Sequence, residues 1–256
     1  MANPLIGYWA ESGLQRGDIV LFHSSMARTF RYLFSKGVKP DPRLVIDSIL
    51  DEVGPEGTVL FPLFNFDFSA TGEFSMLSTP SQMGVITEFS RVNYEGYRTG
   101  HPIYSFYAIG ALCEEFKDLN NRSGYGPDSP FAKLLELDGK IASVDLDDQH
   151  SMTMYHFVEE KMGVDYRYFK TFLGTYEDLN AVVSSEEYIL YVRDLERGVV
   201  SNLNRMGEIL WSEGLYIGNR PGVGNGLRTI QAESLVSRTT KEIIEGRAIQ
   251  TLFSIE

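Results

Sequence analysis

The sequence predicts an α/β fold built around a parallel sheet, and three observations carry that reading. Two short apolar runs, Gly17-Asp-Ile-Val-Leu-Phe-His23 and Gly57-Thr-Val-Leu-Phe-Pro62, each open on a turn residue and read as buried strands. Between them Leu44, Val45, Ser48, Ile49 and Val53 form one apolar stripe, started by Asp41-Pro42 and stopped by Gly54-Pro55, as a capped helix requires. Strand, helix and strand in that order make a βαβ unit, which joins parallel strands.

Composition narrows the function. The chain has 256 residues, 43% of them apolar, enough for a sizeable core. With no repeat, low-complexity tract or linker, residues 1–256 read as a single domain. A net charge of −12 argues against nucleic acid and anionic membrane as partners. The lone Cys113 excludes an internal disulfide and a cysteine-rich metal site, and with no cation beside it reads as packing. The N-terminus shows no signal-peptide pattern and no apolar run reaches about 18 residues, so a cytoplasmic location is expected. Four dispersed histidines give no ligand spacing, and no metal is expected.

Taken in order, Leu5, Ile6, Trp9 and Leu14 suggest a short amphipathic opening helix. The first strand delivers His23-Ser24-Ser25 to its end, where small residues let backbone amides approach a ligand or simply cap the next helix. The aromatic loop 64–74 could line a pocket or cover one. Residues 83–91 form a helix expected to bury Val85, Ile86 and Phe89, and Arg98-Thr-Gly-His101-Pro102 is a turn. Ser105 to Gly110 and Lys140 to Val144 are strands, separated by a loop over 120–130 and a helix over 131–137. Glu187 to Arg193 alternates like an antiparallel strand. The glycine-rich Pro221 to Gly226 lacks the ending of a phosphate loop and reads as a turn. A helix near 231–246 and a strand over Ala248–Phe253 complete the expected elements.

The stretch most suggestive of chemistry is Asp145-Leu-Asp-Asp-Gln-His-Ser-Met-Thr-Met-Tyr-His156-Phe-Val-Glu159. Asp148 or Ser151 could cap a helix that ends at Gly163, a residue suited to the left-handed position. On that helix Thr153, His156, Glu159 and Glu160 share a face at a strand's carboxyl end, where open α/β sheets place their ligands. A carboxylate beside a histidine fixes its tautomer, although a surface histidine among solvated glutamates fits the same pattern.

Several stretches together resemble the aminoglycoside 3-N-acetyltransferase-like family, or antibiotic N-acetyltransferases. They are Val20-Leu-Phe-His-Ser-Ser25, Gly57 to Pro62, Met83-Gly-Val-Ile-Thr-Glu88 with Arg91, Arg98-Thr-Gly-His-Pro-Ile-Tyr-Ser-Phe106, Tyr125-Gly-Pro-Asp-Ser-Pro-Phe-Ala-Lys-Leu134, and Thr153-Met-Tyr-His156 with Glu159. The resemblance covers most of the chain. It implies a three-layer α/β/α fold around a mixed sheet and acyl transfer from coenzyme A to an amine. His156 matches the family's active-site histidine, with Thr153 and Glu159 completing its pattern. The resemblance sets His23, Ser24, Ser25, Arg91, His101 and Ser105 by the coenzyme. Glu88, Asp148, Tyr166 and Arg167 are then expected around the acceptor.

The Asp145 to His150 segment departs from the family's glycine-rich turn, which points away from aminoglycosides. The expected acceptor is the amine of a nucleotide-linked amino sugar, a dTDP- or UDP-3-amino-3,6-dideoxyhexose. Aromatics such as Tyr166, Tyr168 and Phe169 would face rings, and Arg167 and Arg220 would pair phosphates. An aminoglycoside acceptor, served by Asp145, Asp147 and Asp148, remains the alternative. His156 is the expected base, oriented by Glu159 or Glu88, with amides near Ser24 and Ser25 facing the oxyanion and direct transfer in a ternary complex. A non-catalytic sugar- or nucleotide-binding protein competes with this reading. Hydrolysis through Ser24 or Ser25 lacks a nucleophile elbow. The partners expected are acyl-CoA and a small amino sugar, with a homodimer left open.

Overall fold

A computed structural model describes residues 3–256. Strand β1 (Ile19–Ser24) is followed by helices α1 (Ala27–Ser35) and α2 (Pro42–Val53), and then by β2 (Thr58–Pro62). The helix start is as expected: the Asp41 side chain accepts the Arg43 amide at 2.8 Å, and Gly54 closes the helix at φ 70°. Next come α3 (Phe68–Thr71), β3 (Glu73–Ser75), α4 (Val85–Asn93), β4 (Tyr97–Arg98) and β5 (Phe106–Gly110). Helix α5 (Pro130–Glu136), β6 (Lys140–Val144), α6 (Asp148–Ser151) and α7 (Met154–Met162) lead into the long hairpin of β7 (Arg167–Glu177) and β8 (Val183–Arg193). The rest is β9 (Val199–Ser201), α8 (Asn204–Ser212), β10 (Ile217–Gly218), β11 (Leu227–Gln231), α9 (Ala232–Ile244), α10 (Ala248–Thr251) and β12 (Phe253–Ile255).

The main sheet runs β10-β11-β6-β1-β2-β5-β4. Only the β6–β1 and β1–β2 pairings are parallel; the other pairings are antiparallel, so the sheet is mixed. Alternation along β1 shows why the molecule has three layers. Ile19 and Leu21 enter a core with Phe131, Val158 and Leu235 from α5, α7 and α9. Val20 and Phe22 enter the opposite core with Leu33, Ile46, Ile49 and Ile86 from α1, α2 and α4. A smaller sheet, β3-β7-β8, encloses its own cluster of Phe68, Phe74, Tyr176 and Tyr188. Among the described residues no helix is long and apolar enough to cross a membrane.

Four local expectations change. The opening helix is a set of turns with one 3-10 turn at Ala10–Ser12; Leu5 and Trp9 are buried there while Ile6 is exposed. Helix α4 buries Ile86, Thr87 and Ser90, whereas Val85 is exposed and Phe89 lies half-buried beneath the Arg43 guanidinium. Residues 248–253 do not form one strand: Leu252 bonds back to Ala248 in a helical turn, and only Phe253–Ile255 pairs, with β9. The helix expected from 148 onward is broken at Met152 into α6 and α7. Asp147, not Asp148 or Ser151, caps α6 by accepting the His150 amide.

Asp148 opens α6. Its carboxylate is buried, bonded at Oδ1 by Arg228 (3.0 Å) and at Oδ2 by the hydroxyls of Tyr155 (2.6 Å) and Tyr216 (2.7 Å). Asp148 therefore cannot meet an acceptor, as the sequence suggested. It ties α6 to β11 and to the first turn of α7. Removing one partner of such a pair leaves an uncompensated charge, so Arg228→Met should cost about 3–5 kcal/mol in urea unfolding. A cost below about 1 kcal/mol, as for a surface pair, would show that Arg228 is not neutralising a buried charge.

Candidate active site

Helix α7 has Met154, Tyr155, Phe157 and Val158 in the core, and Gly163 ends it at φ 59°. The three-residue spacing of His156 and Glu159 brings both to one face. His156 Nδ1 lies 2.7 Å from Glu159 Oε2, and the Tyr166 hydroxyl donates to Oε1 at 3.0 Å. Arg167, the first residue of β7, closes an ion pair with Nε 2.7 Å from Oε2, while its Nη1 donates to the Tyr191 carbonyl. Glu159 is fully buried. Burial alone would raise its pKa, but the Arg167 charge and the bonds from His156 and Tyr166 outweigh that and lower it. The carboxylate stays ionised.

His156 is held neutral. Burial lowers its pKa below the ordinary 6.5 and the Arg167 charge lowers it further, against the opposing pull of Glu159. Arg167 Nη2 also lies 2.9 Å from Nδ1, so that nitrogen faces an acceptor and a donor at once. The carboxylate can only accept and the guanidinium can only donate, so Nδ1 satisfies one of them at a time; the Nδ1–H tautomer that donates to Glu159 is the one that leaves the basic lone pair on Nε2. The ring opens on a cavity of about 360 Å³, lined also by Tyr104, Tyr125, Tyr168, Lys170 and Arg193. No carboxylate lines it among the described residues.

The remaining expected site residues are placed differently. Thr153 accepts the His156 amide at its carbonyl, 2.9 Å, and its side chain does not line the cavity. Glu160 turns instead to the Ser123 hydroxyl, 2.8 Å. Tyr166 stacks on Phe253 at 3.9 Å and supports Glu159, with no free face for a ligand. Arg167 lines the cavity but is committed to Glu159 and is not a free phosphate ligand. Glu88 pairs with Arg91 at 2.5 Å and with the Ser81 amide, so Glu159 alone orients the histidine and Arg91 is engaged.

His101 is fully buried, its Nδ1 accepting the amides of Ile103 and Tyr104, and burial pushes its pKa down to about 3. Ser105 is equally buried, sandwiched between Arg98 and the Leu63 carbonyl. Neither side chain lines the cavity beside His156. His23 is buried at the end of β1, its pKa lowered to about 3 by burial and then by Arg228. Ser24 and Ser25 are half-buried there; the Ser25 amide bonds to Val144 and is not free for an oxyanion. Asp145 binds Arg28 and the Gly222 amide, and Asp147 binds His150 and Asn204. Arg220 pairs with Glu208, and Phe64, Phe68 and Phe74 are core.

Sequence reasoning missed Tyr104, Lys170 and Arg193 as cavity groups and Arg167 as the neutralising partner of Glu159. Strand alternation carried part of that signal. Tyr168, Lys170 and Phe172 lie on one face of β7.

A neutral imidazole fixed by a buried carboxylate, opening on a cavity in an α/β/α scaffold, defines a site for taking a proton from a bound nucleophile. A family model described as aminoglycoside 3-N-acetyltransferase matches residues 21–242, and the chain belongs to that family. It is 28% identical over 176 residues to the SPbeta prophage-derived aminoglycoside N(3')-acetyltransferase-like protein YokD of Bacillus subtilis, covering 59% of this chain and 61% of that protein. It is 26% identical over 188 residues to aminoglycoside N(3)-acetyltransferase IX of Micromonospora chalcea, covering 64% and 63%. The match thus spans about three fifths of these curated relatives. The fold is similar to that of AAC-IIIb in binary complex with CoASH, with TM-score 0.76, 21% identity and 94% of each chain covered. It is similar too to aminoglycoside acetyltransferase AAC(3)-Xa, with TM-score 0.75, 22% identity and 92% and 90% covered. These matches bear out the three-layer mixed-sheet expectation.

The depressed pKa sets a pH prediction. The base is active when unprotonated, so its acid limb lies below the ordinary histidine value of 6.5. An NMR titration of the His156 ring should give a midpoint below 6.5; a midpoint above it would contradict the burial and Arg167 effects. Glu159→Gln frees the tautomer and should lower kcat roughly 10²–10⁴-fold.

Proposed function

We propose that this chain transfers an acyl group from acyl-CoA to the amino group of an amino sugar, with His156 as general base. The single observation that carries the reading is the His156 Nδ1 bond to the buried, ionised Glu159, which leaves Nε2 basic toward the cavity. An amine is mostly protonated in neutral water and must first shed one proton to attack. Its nitrogen then bonds to the thioester carbon, His156 takes the second proton as the C–N bond forms, and the C–S bond breaks. The departing thiolate recovers that proton from the imidazolium or from water. No side chain in the cavity supplies a thiol or an activated serine, so both substrates react while bound together.

The relatives' names support an aminoglycoside as the acceptor, ahead of the nucleotide-linked sugar favoured by the sequence. One observation keeps the second reading in play: Lys170 and Arg193 line the cavity, and no carboxylate there would meet a polycation. The coenzyme's own phosphates compete for the same cations, and the assay must separate these uses.

His156→Asn should keep coenzyme binding and lower kcat roughly 10²–10⁴-fold; near-normal turnover would remove His156 from the mechanism. Initial-rate lines should intersect when each substrate is varied against the other, whereas parallel lines or an acylated protein would mean a ping-pong route. Gentamicin- and kanamycin-type amines should be compared with a dTDP-amino sugar at equal concentration, by thiol release, in the wild type and in Lys170→Ala. Higher kcat/KM for the antibiotics decides for the first acceptor class. A Lys170→Ala defect in KM for the dTDP-sugar, with KM for acyl-CoA unchanged, decides for the second.

A further inference from the structure

We infer that the Tyr104 hydroxyl is the donor that stabilises the oxyanion of the thioester carbonyl, held in place by Tyr125. The inference rests on the acyl-transfer reading and adds a catalytic residue to it. A tetrahedral intermediate places a full negative charge on the former carbonyl oxygen, and some N–H or O–H must face it. The strand-end amide that would ordinarily serve is taken, since Ser25 N–H donates to the Val144 carbonyl at 2.8 Å. Glu159 has captured the Arg167 guanidinium, whose Nη1 is spent on Tyr191.

Besides Lys170 and Arg193, the cavity next to His156 is lined by a row of rings. Tyr125 stands 5.4 Å from the His156 ring, centroid to centroid, and Tyr104 stands 4.9 Å from Tyr125. Both tyrosines line the cavity into which His156 opens. Phe64 fixes Tyr104 edge-on at 4.8 Å, and Phe131 lies 6.0 Å from Tyr125, so the rings are positioned by packing and not by their hydroxyls. Both side chains line the same cavity, and each phenol carries one O–H to donate.

Burial raises both phenol pKa values above 10, so each keeps its proton at any working pH. The Arg167 charge acts on both hydroxyls in the opposite sense and polarises their O–H bonds toward donation. Tyr125 is almost fully buried and Tyr104 less so, which makes Tyr104 the hydroxyl that reaches the substrate and Tyr125 the one that positions it. His156 takes a proton from the amine on one side of the reacting carbon while Tyr104 donates to its oxygen on the other.

Tyr104→Phe keeps the ring and deletes only the donor. Its kcat should fall roughly 10²–10³-fold, the usual effect of losing one oxyanion donor, with the KM of acyl-CoA within about threefold of wild type. The acid limb of the pH profile should not move, since the base is intact. Tyr125→Phe should lower kcat less. If Tyr125→Phe does not fold, Tyr104→Phe decides alone, because its ring is partly exposed and its packing is unchanged. A kcat within about threefold of wild type for Tyr104→Phe, or a loss confined to the KM of the acceptor, would overturn the inference. His156→Asn, run alongside, separates the two failures. An inactive His156 variant with a fully active Tyr104→Phe refutes only the oxyanion role, whereas absence of thiol release by the wild-type protein with acyl-CoA and every amine offered refutes the acyl-transfer reading itself.

Discussion

The Glu159 carboxylate, a charge with no exposure to solvent, is the constraint from which the site is built. An isolated ion in that position would be several kcal/mol unfavourable and would protonate instead. It survives as an anion because three elements converge on it. Helix α7 contributes the His156 ring one turn back, the chain entering β7 contributes the Tyr166 hydroxyl, and β7 itself contributes Arg167. The same contacts dock the β7–β8 hairpin onto the main body, so one ion pair both joins the smaller sheet to α7 and holds the carboxylate that orients the histidine. Arg167 has a double effect: it keeps Glu159 charged and keeps His156 neutral.

Helix α7 is anchored on its other side by an equivalent device. Tyr155 precedes His156 and donates to Asp148, which Arg228 of β11 neutralises. The residues before and after the base along the helix are thus fixed to opposite parts of the fold. Between them Met154, Phe157 and Val158 fill the core shared with α5 and α9. A side chain held in this way needs little reorganisation to act, which is the usual source of catalytic advantage in a pre-formed site.

Net charge and local charge point in opposite directions here. The chain carries −12 overall, yet the cavity beside His156 presents Lys170 and Arg193 and, among the described residues, no carboxylate. Net charge acts on solubility and long-range steering, whereas a ligand in a cleft responds to the groups a few ångströms away. An acidic sequence therefore gave no reliable indication of what its binding cavity would accept. The Asp145, Asp147 and Asp148 run shows the same thing from the other side. All three carboxylates are consumed by internal partners, Arg28, His150 and Arg228 in turn.

Local signals in the sequence were enough to determine the βαβ start with its Asp41 cap, the alternating strands of the main sheet, the end of α7 at Gly163, and the pairing of His156 with Glu159. Each depends on residues within one helix turn or one strand pleat of one another, where spacing dictates geometry. Motif order added the family. Tertiary structure alone decided which of the other polar residues are free. His101, Ser105, Tyr166 and Asp148 look like ligands when read along the chain, but each is buried and bonded to a group distant in sequence or folded back in a turn. Tyr104, Tyr125, Lys170 and Arg193 lie far apart in the sequence, and they line one cavity with His156 only because the fold brings them together. The physical reason is common to both groups. A side chain's chemistry depends on what has already claimed its donors and acceptors, and those claims are made by long-range packing.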